Sequence, residues 1–158
     1  MNVVICALVE SDLPPERLEL EITEGVLIDN FSRAVSTLHR LKALGVRIAM
    51  DDFGTGYSSL SYLQSFPFDK IKIDQTFISN LERNQQSPTI IRAVIGLARG
   101  LKLPVVAEGV ETREQLDFLA KEHCDEVQGY LIGRPRPIED YAELTGAPAA
   151  PHKARAAG

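Results

Sequence analysis

Three pairs of carboxylates recur along this 158-residue sequence, each close to a short apolar stretch. The pairs are Glu21 with Glu24, Asp51 with Asp52, and Glu108 with Glu111. Carboxylate oxygens suit hard cations such as Mg²⁺ or Mn²⁺. If the pairs converge, they repel one another unless a cation or a lysine neutralises them. A cation held in this way can activate a water molecule and stabilise charge on a phosphate oxygen. The alternative is that these acids are helix-start residues favoured by the helix macrodipole.

A lysine and a glycine-containing loop accompany the acidic pairs. Lys72 lies within the predicted strand at residues 70–74, on the same face as Lys70 and Asp74, and an unpaired ammonium group inside a barrel is costly to bury. Lys72 is therefore either functional or part of a structural ion pair. The loop directly follows Asp52, and it is either an ordinary turn or a segment that approaches a phosphate. Its candidate residues are Gly54, Thr55 and Gly56.

Strands and helices must alternate to position these side chains. Strand patterns cover residues 18–22, 46–51, 70–74 and 103–108, and a short fifth strand ends near residues 127–128. Asp29 or Asn30 is a predicted N-cap, Ser87 is a second one ahead of Pro88, and residues 112–115 fit a capping box. Alternating strands and helices predict a parallel sheet with helices outside it.

The polar residues at the carboxyl ends of the predicted strands share one rim. They are Glu21, Asp51, Lys72, Glu108 and Gln128. In a barrel of βα units this rim carries the active site, and a closed barrel needs eight strands and roughly 250 residues. The predicted fold class is therefore α/β, an incomplete TIM-like (β/α) barrel with about five parallel strands and outer helices.

Composition and charge exclude several classes of function. The chain is 44% hydrophobic and 25% charged, as in ordinary globular domains. A net charge of −5 without a Lys/Arg cluster argues against a nucleic-acid polymer as partner. The two cysteines, Cys6 and Cys124, are far apart, so a reducing compartment is expected. The apolar run at residues 3–9 is far shorter than the roughly 20 residues that span a bilayer. We therefore expect a cytoplasmic protein with no membrane partner.

Five motifs occur in the order found in the EAL domain family, which this sequence resembles. They are Glu-Ile-Thr-Glu at 21–24, Asp-Asp-Phe-Gly-Thr-Gly at 51–56, Lys-Ile-Lys-Ile-Asp at 70–74, Ala-Glu-Gly-Val-Glu-Thr at 107–112, and Gln-Gly-Tyr…Gly-Arg-Pro at 128–135. The resemblance covers about residues 9–145. It implies that residues 1–145 are the C-terminal part of an EAL domain. Residues 146–158, rich in Ala, Pro and Gly, are predicted to be a disordered tail.

The resemblance implies a phosphodiesterase that hydrolyses cyclic di-GMP to pGpG with Mg²⁺ or Mn²⁺. Glu21 and Asp51 would be metal ligands, and Asp52 would serve the second metal. Lys72 would position the attacking water and balance charge, and Glu108 would act as a base or metal-site partner. The supporting residues would be Gln128 lining the site, Glu24 holding the loop that contains Gly54, Thr55 and Gly56, and Glu111 supporting the metal shell.

The sequence also departs from the family pattern. It contains no Glu-Ala-Leu, whose Glu is a metal ligand in the family, and it lacks the family's metal-binding Asn. Residues 1–11 resemble the end of the family's preceding helix, as a truncation would give. Activity of this chain alone is therefore expected to be impaired or absent unless a second polypeptide donates strands. The alternatives are a non-catalytic module that pairs through open strand edges, as a homodimer or with a barrel-completing partner, and a gene remnant.

Overall fold

A single parallel sheet forms the centre of the computed structural model, which describes residues 1–23, 25, 31–54, 60–81 and 83–141. Its strands are β1 (Glu19–Thr23), β2 (Arg47–Phe53), β3 (Lys70–Ile73), β4 (Val105–Ala107) and β5 (Glu126–Val127). They lie side by side in chain order, and every neighbouring pair is parallel. This order is that of successive βα units, so the predicted α/β class with five parallel strands is confirmed.

Helices connect the strands. The described helices are α1 (Asn2–Ser11), α2 (Phe31–Ala43), α3 (Leu60–Ser65), α4 (Gln75–Ser79), α5 (Ser87–Leu101) and α6 (Arg113–Lys121). Short 3₁₀ turns occupy Pro15–Arg17 and Ile138–Tyr141. Within the described part of the chain, no helix combines the length and the apolar character that crossing a membrane requires.

The two faces of the sheet differ because successive side chains of a strand point to opposite sides. On one face, Ile48 and Met50 of β2 and Ile71 and Ile73 of β3 are buried in the hydrophobic core. The apolar stripes of the helices pack on this face and contribute Leu38, Leu41, Ile91, Val94, Ile95, Ala98 and Leu119. The other face carries the charged residues of the same strands. The predicted alternation thus places the candidate site residues together on one face.

Two aspartates at the amino ends of strands fix the strand spacing. Asp69 Oδ2 accepts a hydrogen bond of 2.7 Å from Ile48 N, and Asp125 Oδ2 accepts one of 2.8 Å from Val105 N. Lys42 Nζ also lies 2.6 Å from Asp69 Oδ1. Asp69 immediately precedes β3 and accepts from an N–H group of β2. Asp125 immediately precedes β5 and accepts from an N–H group of β4. The end of the sheet opposite the predicted rim is therefore held by side chains as well as by the strand ladder.

The helix caps confirm one prediction and correct another. Thr112 and Gln115 form the expected capping box at the start of α6. Ser87, however, is the first residue of α5 and is buried, and Gln86 occupies the N-cap position without a side-chain cap. In the preceding turn, Asn84 Oδ1 accepts a hydrogen bond of 2.9 Å from Gln86 N. The helix therefore begins at Ser87, one residue before Pro88. The predicted cap at Asp29 or Asn30 lies outside the described residues, as does the predicted tail at residues 146–158.

Candidate metal site at the rim of the sheet

A bulge in β2 brings two consecutive acids to the rim. Met50 pairs with Ile71 and Phe53 pairs with Ile73, so Asp51 and Asp52 together stand opposite one residue of β3. Asp52 has a φ of 54°, in the left-handed region. Such a bulge re-aims side chains that a regular strand would place on opposite faces. The double Asp of the sequence therefore supplies two carboxylates to one site.

Lys72 is the centre of the charged face. Its Nζ lies 2.6 Å from Glu21 Oε1, 3.1 Å from Asp51 Oδ1 and 2.7 Å from Glu108 Oε1. The Lys72 side chain is only 7% exposed, whereas that of Glu21 is 51% exposed. These contacts link β1, β2, β3 and the residue after β4. Lys72 is thus both paired, as burial requires, and located among the predicted metal ligands.

Burial and ion pairing act in opposite directions on the pKa of Lys72. Desolvation lowers this pKa, but the carboxylates of Glu108, Glu21 and Asp51 raise it further than burial lowers it. The net shift is upward from the ordinary value, so Lys72 remains an ammonium group. It therefore acts in the site as a hydrogen-bond donor and positive charge, not as a proton acceptor.

Three carboxylates at the rim are placed as metal ligands would be. One oxygen each of Asp51, Asp52 and Glu108 lies within 4.8 Å of the other two. Asp51 Oδ1 is buried and lies 3.1 Å from Lys72 Nζ, which also contacts Glu21 and Glu108. Because one ammonium group is shared among three carboxylates, their oxygens keep acceptor capacity that a cation or water can use. These residues fit a hard divalent cation such as Mg²⁺ or Mn²⁺.

Burial and the surrounding acids raise the pKa of Asp52. Desolvation raises its pKa above the ordinary value of 3.8, and the neighbouring carboxylates of Asp51 and Asp74 raise it further. Lys72 lowers the pKa of Asp52 only as the smallest of these effects. The cluster therefore holds more negative charge than Lys72 neutralises.

A cleft of about 270 Å³ adjoins the three carboxylates. It is lined by Gln75, Glu108, Gly109, Glu111, Gln128, Gly129 and Tyr130. Because Glu108 belongs to both the cleft and the carboxylate cluster, a ligand in the cleft would lie next to the metal position. The cleft is where the structure places the predicted residues Glu111 and Gln128, and neither belongs to the three-carboxylate cluster.

Comparison with known proteins now identifies the chain. The family model described as "EAL domain" matches residues 2–135. The chain belongs to the EAL domain family. This match confirms the resemblance drawn from the five sequence motifs.

Relatives of this EAL domain chain include curated bacterial signalling proteins. An uncharacterized signaling protein of Caulobacter vibrioides is 63% identical over 132 residues, which cover 84% of this chain and 16% of the relative. The cyclic di-GMP phosphodiesterase NbdA of Pseudomonas aeruginosa is 47% identical over 138 residues, which cover 87% of this chain and 18% of the relative. The chain thus spans less than a fifth of these relatives.

Solved EAL structures share the fold. The phosphodiesterase PaMucR in complex with c-di-GMP matches with a TM-score of 0.86 and 43% identity, over 89% of this chain and 57% of that one. A manganese/cy-diGMP complex of Klebsiella pneumoniae BlrP1 matches with a TM-score of 0.77 and 34% identity, over 85% of this chain and 34% of that one. The five-stranded sheet therefore corresponds to part of a TIM-barrel-like EAL domain.

The predicted site residues of this EAL chain divide into three groups. The structure brings together Glu21, Asp51, Asp52, Lys72 and Glu108. Gly54 follows the bulge with a φ of 98°, which favours glycine, and Glu111 and Gln128 line the adjoining cleft. Glu24, Thr55 and Gly56 lie outside the described residues, so their proposed support of the loop stays a prediction.

Residues without a predicted role also contribute to this EAL site. Asp74 is buried and contacts Asp52, and Gln75, Gly109 and Tyr130 line the cleft. The predicted strand at residues 70–74 already ends on Asp74, and the Asp-x-Thr pattern at 74–76 is an N-cap signal that could have indicated its contact with Thr76. Tyr130 belongs to the motif at residues 128–135, but that motif does not indicate the close approach of Gly129 to Val110 that accompanies its position in the cleft.

Proposed function

We propose that this EAL chain forms part of a cyclic-di-GMP phosphodiesterase site and holds one divalent cation between Asp51, Asp52 and Glu108. The convergence of the three carboxylates within 4.8 Å carries this proposal. With Glu21 included, four carboxylates stand against the single ammonium group of Lys72 among the described residues of the cluster. Like charges at this density favour binding of a cation.

Each residue has a distinct task in the proposed site. A bound Mg²⁺ or Mn²⁺ would polarise a phosphoryl oxygen and lower the pKa of a coordinated water. Lys72 would neutralise the carboxylates and help to position the reacting water among them. Glu21, the most exposed of the acids that contact Lys72, would face a further cation on the solvent side. Glu108 is the residue that joins the cation site to the cleft.

The cleft beside Glu108 supports a nucleotide substrate. Its volume of about 270 Å³ is sufficient for one base, and its lining offers amide, carboxylate and aromatic groups from Gln75, Glu111, Gln128 and Tyr130. The guanidinium of Arg134 stacks on the Tyr130 ring at 4.6 Å, which stiffens that wall. Relatives described as acting on or binding cyclic di-GMP make this dinucleotide the proposed ligand.

Turnover by this chain alone is proposed to be weak or absent. The sequence has no Glu-Ala-Leu, and the loss of a metal ligand weakens a site more than the loss of an outer residue, which itself costs about 10- to 100-fold. A barrel-completing partner would supply the missing ligands. The cytoplasmic location and the absence of a membrane partner remain predictions.

A second candidate is a non-catalytic module that pairs with another chain. β1 and β5 are the two outer strands of the described sheet, and unpaired strand edges invite pairing. Helix α1 also exposes Val3 and Val9, at 80% and 76%, next to the part of the helix that packs on the core. A module of this kind would form a defined oligomer without hydrolysing cyclic di-GMP.

Incubation with cyclic di-GMP and Mn²⁺ tests the proposal, with pGpG quantified by chromatography and binding followed by thermal melting. A ligand at 100 times its Kd adds about 2.7 kcal/mol to the stability of the native state. We expect a cooperative melt that Mn²⁺ and cyclic di-GMP shift upward, with little pGpG. A cooperative melt without a shift would favour the non-catalytic module, and the absence of a cooperative transition would favour the gene remnant.

A further inference from the structure

Asp52 has an unusual backbone conformation next to a buried acid. Its φ of 54° is in the left-handed region, which aspartate adopts more readily than most side chains. Its carboxylate lies beside those of Asp51 and Asp74. The residues that pack against Asp74 and against the backbone after Asp52 can therefore affect where the Asp52 carboxylate lies.

Thr76 fixes the carboxylate that contacts Asp52. Asp74 is buried and caps α4, where its Oδ1 accepts hydrogen bonds from Thr76 N at 2.9 Å and from the Thr76 hydroxyl group. With one oxygen held by these two donors, the orientation of the Asp74 carboxylate is set. The Asp74 carboxylate in turn lies beside that of Asp52. The chain of contacts runs from the first turn of α4 to a proposed metal ligand.

Phe77 supports the other side of the bulge. A methyl group placed on Gly54, two residues after Asp52, would lie 3.1 Å from Phe77 Cε2 and 3.3 Å from Phe77 Cζ. The Phe77 ring is therefore in close contact with the backbone at Gly54. Phe77 is itself packed against the hydrophobic core, and its N–H donates to Asp74 O at 3.1 Å. Asp74 and Phe77, at the start of α4, thus lie beside Asp52 and against Gly54, the residue that follows the bulge.

We propose that Thr76 and Phe77 are positioning residues that hold Asp52 in the geometry required to bind the divalent cation. Neither side chain would touch the cation. Thr76 acts through Asp74 on the carboxylate, and Phe77 acts through Gly54 on the backbone. This inference rests on the proposed function, since it assumes that Asp52 is a ligand. Residues that orient a metal ligand from outside typically affect affinity by about 10- to 100-fold.

The test is Mn²⁺ binding to the purified chain, measured by electron paramagnetic resonance, alongside thermal melting without metal. Thr76→Val keeps the shape and the backbone N–H but removes the hydroxyl donor, and Thr76→Ser restores that donor. Phe77→Leu keeps an apolar side chain but withdraws the ring from Gly54. The matched controls lie on α6: Thr112→Val removes a helix-capping oxygen, and Phe118→Leu shortens a partly buried ring.

We expect Thr76→Val and Phe77→Leu to raise the Kd for Mn²⁺ by about tenfold or more, with Thr76→Ser close to the wild type. The controls should lower the melting temperature while leaving the Kd unchanged. Equal Kd values in the wild type and both α4 variants would overturn the inference and leave the proposed cation site standing. A wild-type chain that binds no Mn²⁺ would overturn the proposed function and this inference together.

Discussion

Lys72 Nζ lies 2.7 Å from Glu108 Oε1, which joins the end of β3 to the residue that follows β4. The same ammonium group contacts Glu21 and Asp51, so one buried positive charge stands where several carboxylates converge. In the metal-free chain Lys72 therefore acts as the counter-ion of the cluster. A divalent cation at the same rim would share that task, so we expect Lys72 to couple stability to metal binding.

Lys72→Met should destabilise the metal-free protein and make it more dependent on metal. The substitution leaves three acids without their ammonium partner, and because these acids are partly exposed we expect a loss of about 2 kcal/mol, less than for a fully buried pair. Saturating Mn²⁺ should then raise the melting temperature by more than it does in the wild type. Thermal melts with and without Mn²⁺ measure both effects.

Lys102→Met is the control for Lys72→Met, since Lys102 is exposed and caps the end of α5 through its backbone N–H. It should change the response to Mn²⁺ little. If Lys72→Met gave the same metal-dependent shift as the wild type, Lys72 would be a structural ion-pair residue only.

Asp52→Asn should separate stability from metal binding. The change removes a carboxylate whose pKa is raised by desolvation and by Asp51 and Asp74, and asparagine tolerates the left-handed backbone. We expect the metal-free melting temperature to rise by a few degrees, about 1 kcal/mol for a domain of this size. Mn²⁺ affinity should fall at least tenfold, as titration calorimetry would show. A decrease in both quantities would mean that Asp52 has a structural role instead.

Gly129→Ala should destabilise the protein by displacing the backbone between Gln128 and Tyr130, which line the cleft. A methyl group on Gly129 would lie 2.2 Å from Val110 O and 2.3 Å from Val110 N, so the backbone must move. Overpacking of this kind costs about 1–3 kcal/mol. Gly133→Ala is the matched control, because no described atom lies within 4 Å of its added methyl group. Chemical denaturation compares the two variants, and equal stability would contradict the close approach.

The cysteines should differ in reactivity and in their effect on stability with pH. Burial raises the pKa of the Cys124 thiol from 9.0 to about 11, whereas Cys6 is exposed. Since the unfolded chain ionises first, the stabilisation is complete below pH 9.0 and lost as pH rises to about 11. We expect iodoacetamide at pH 8 to label Cys6 well before Cys124, as measured by mass spectrometry. Rapid labelling of Cys124 in a Cys6→Ser variant would contradict the raised pKa of this half-buried thiol.

Much of the fold could be predicted from the sequence because strand and helix periodicities differ. The alternation around Lys72 placed Ile71 and Ile73 on the helix-packed face and Lys72 on the charged one. The capping box at Thr112 could also be predicted, since its sequence pattern spans only four residues. The start of α5 was predicted one residue late, because the turn at Asn84 competes with Ser87 for the cap.

The candidate site was predictable in its members but not in its geometry. Strand ends indicated that Asp51 and Glu108 share a rim, yet a regular strand would have sent Asp52 to the other face. Near the bulge in β2 lie Asp74 and Phe77, which are distant in sequence from Asp52. Long-range packing of this kind leaves no periodic signal, and the contribution of Tyr130 to the cleft was missed for the same reason.

The most direct test of the account is a Mn²⁺ titration of the wild-type chain beside Asp51→Asn and Glu108→Gln. Glu126→Gln serves as the control, since Glu126 pairs with Lys70 and is outside the carboxylate cluster. The account predicts saturable binding of Mn²⁺ by the wild type and the control, and binding weakened by well over tenfold in the two site variants. Equal binding by all four proteins, or none by the wild type, would contradict it.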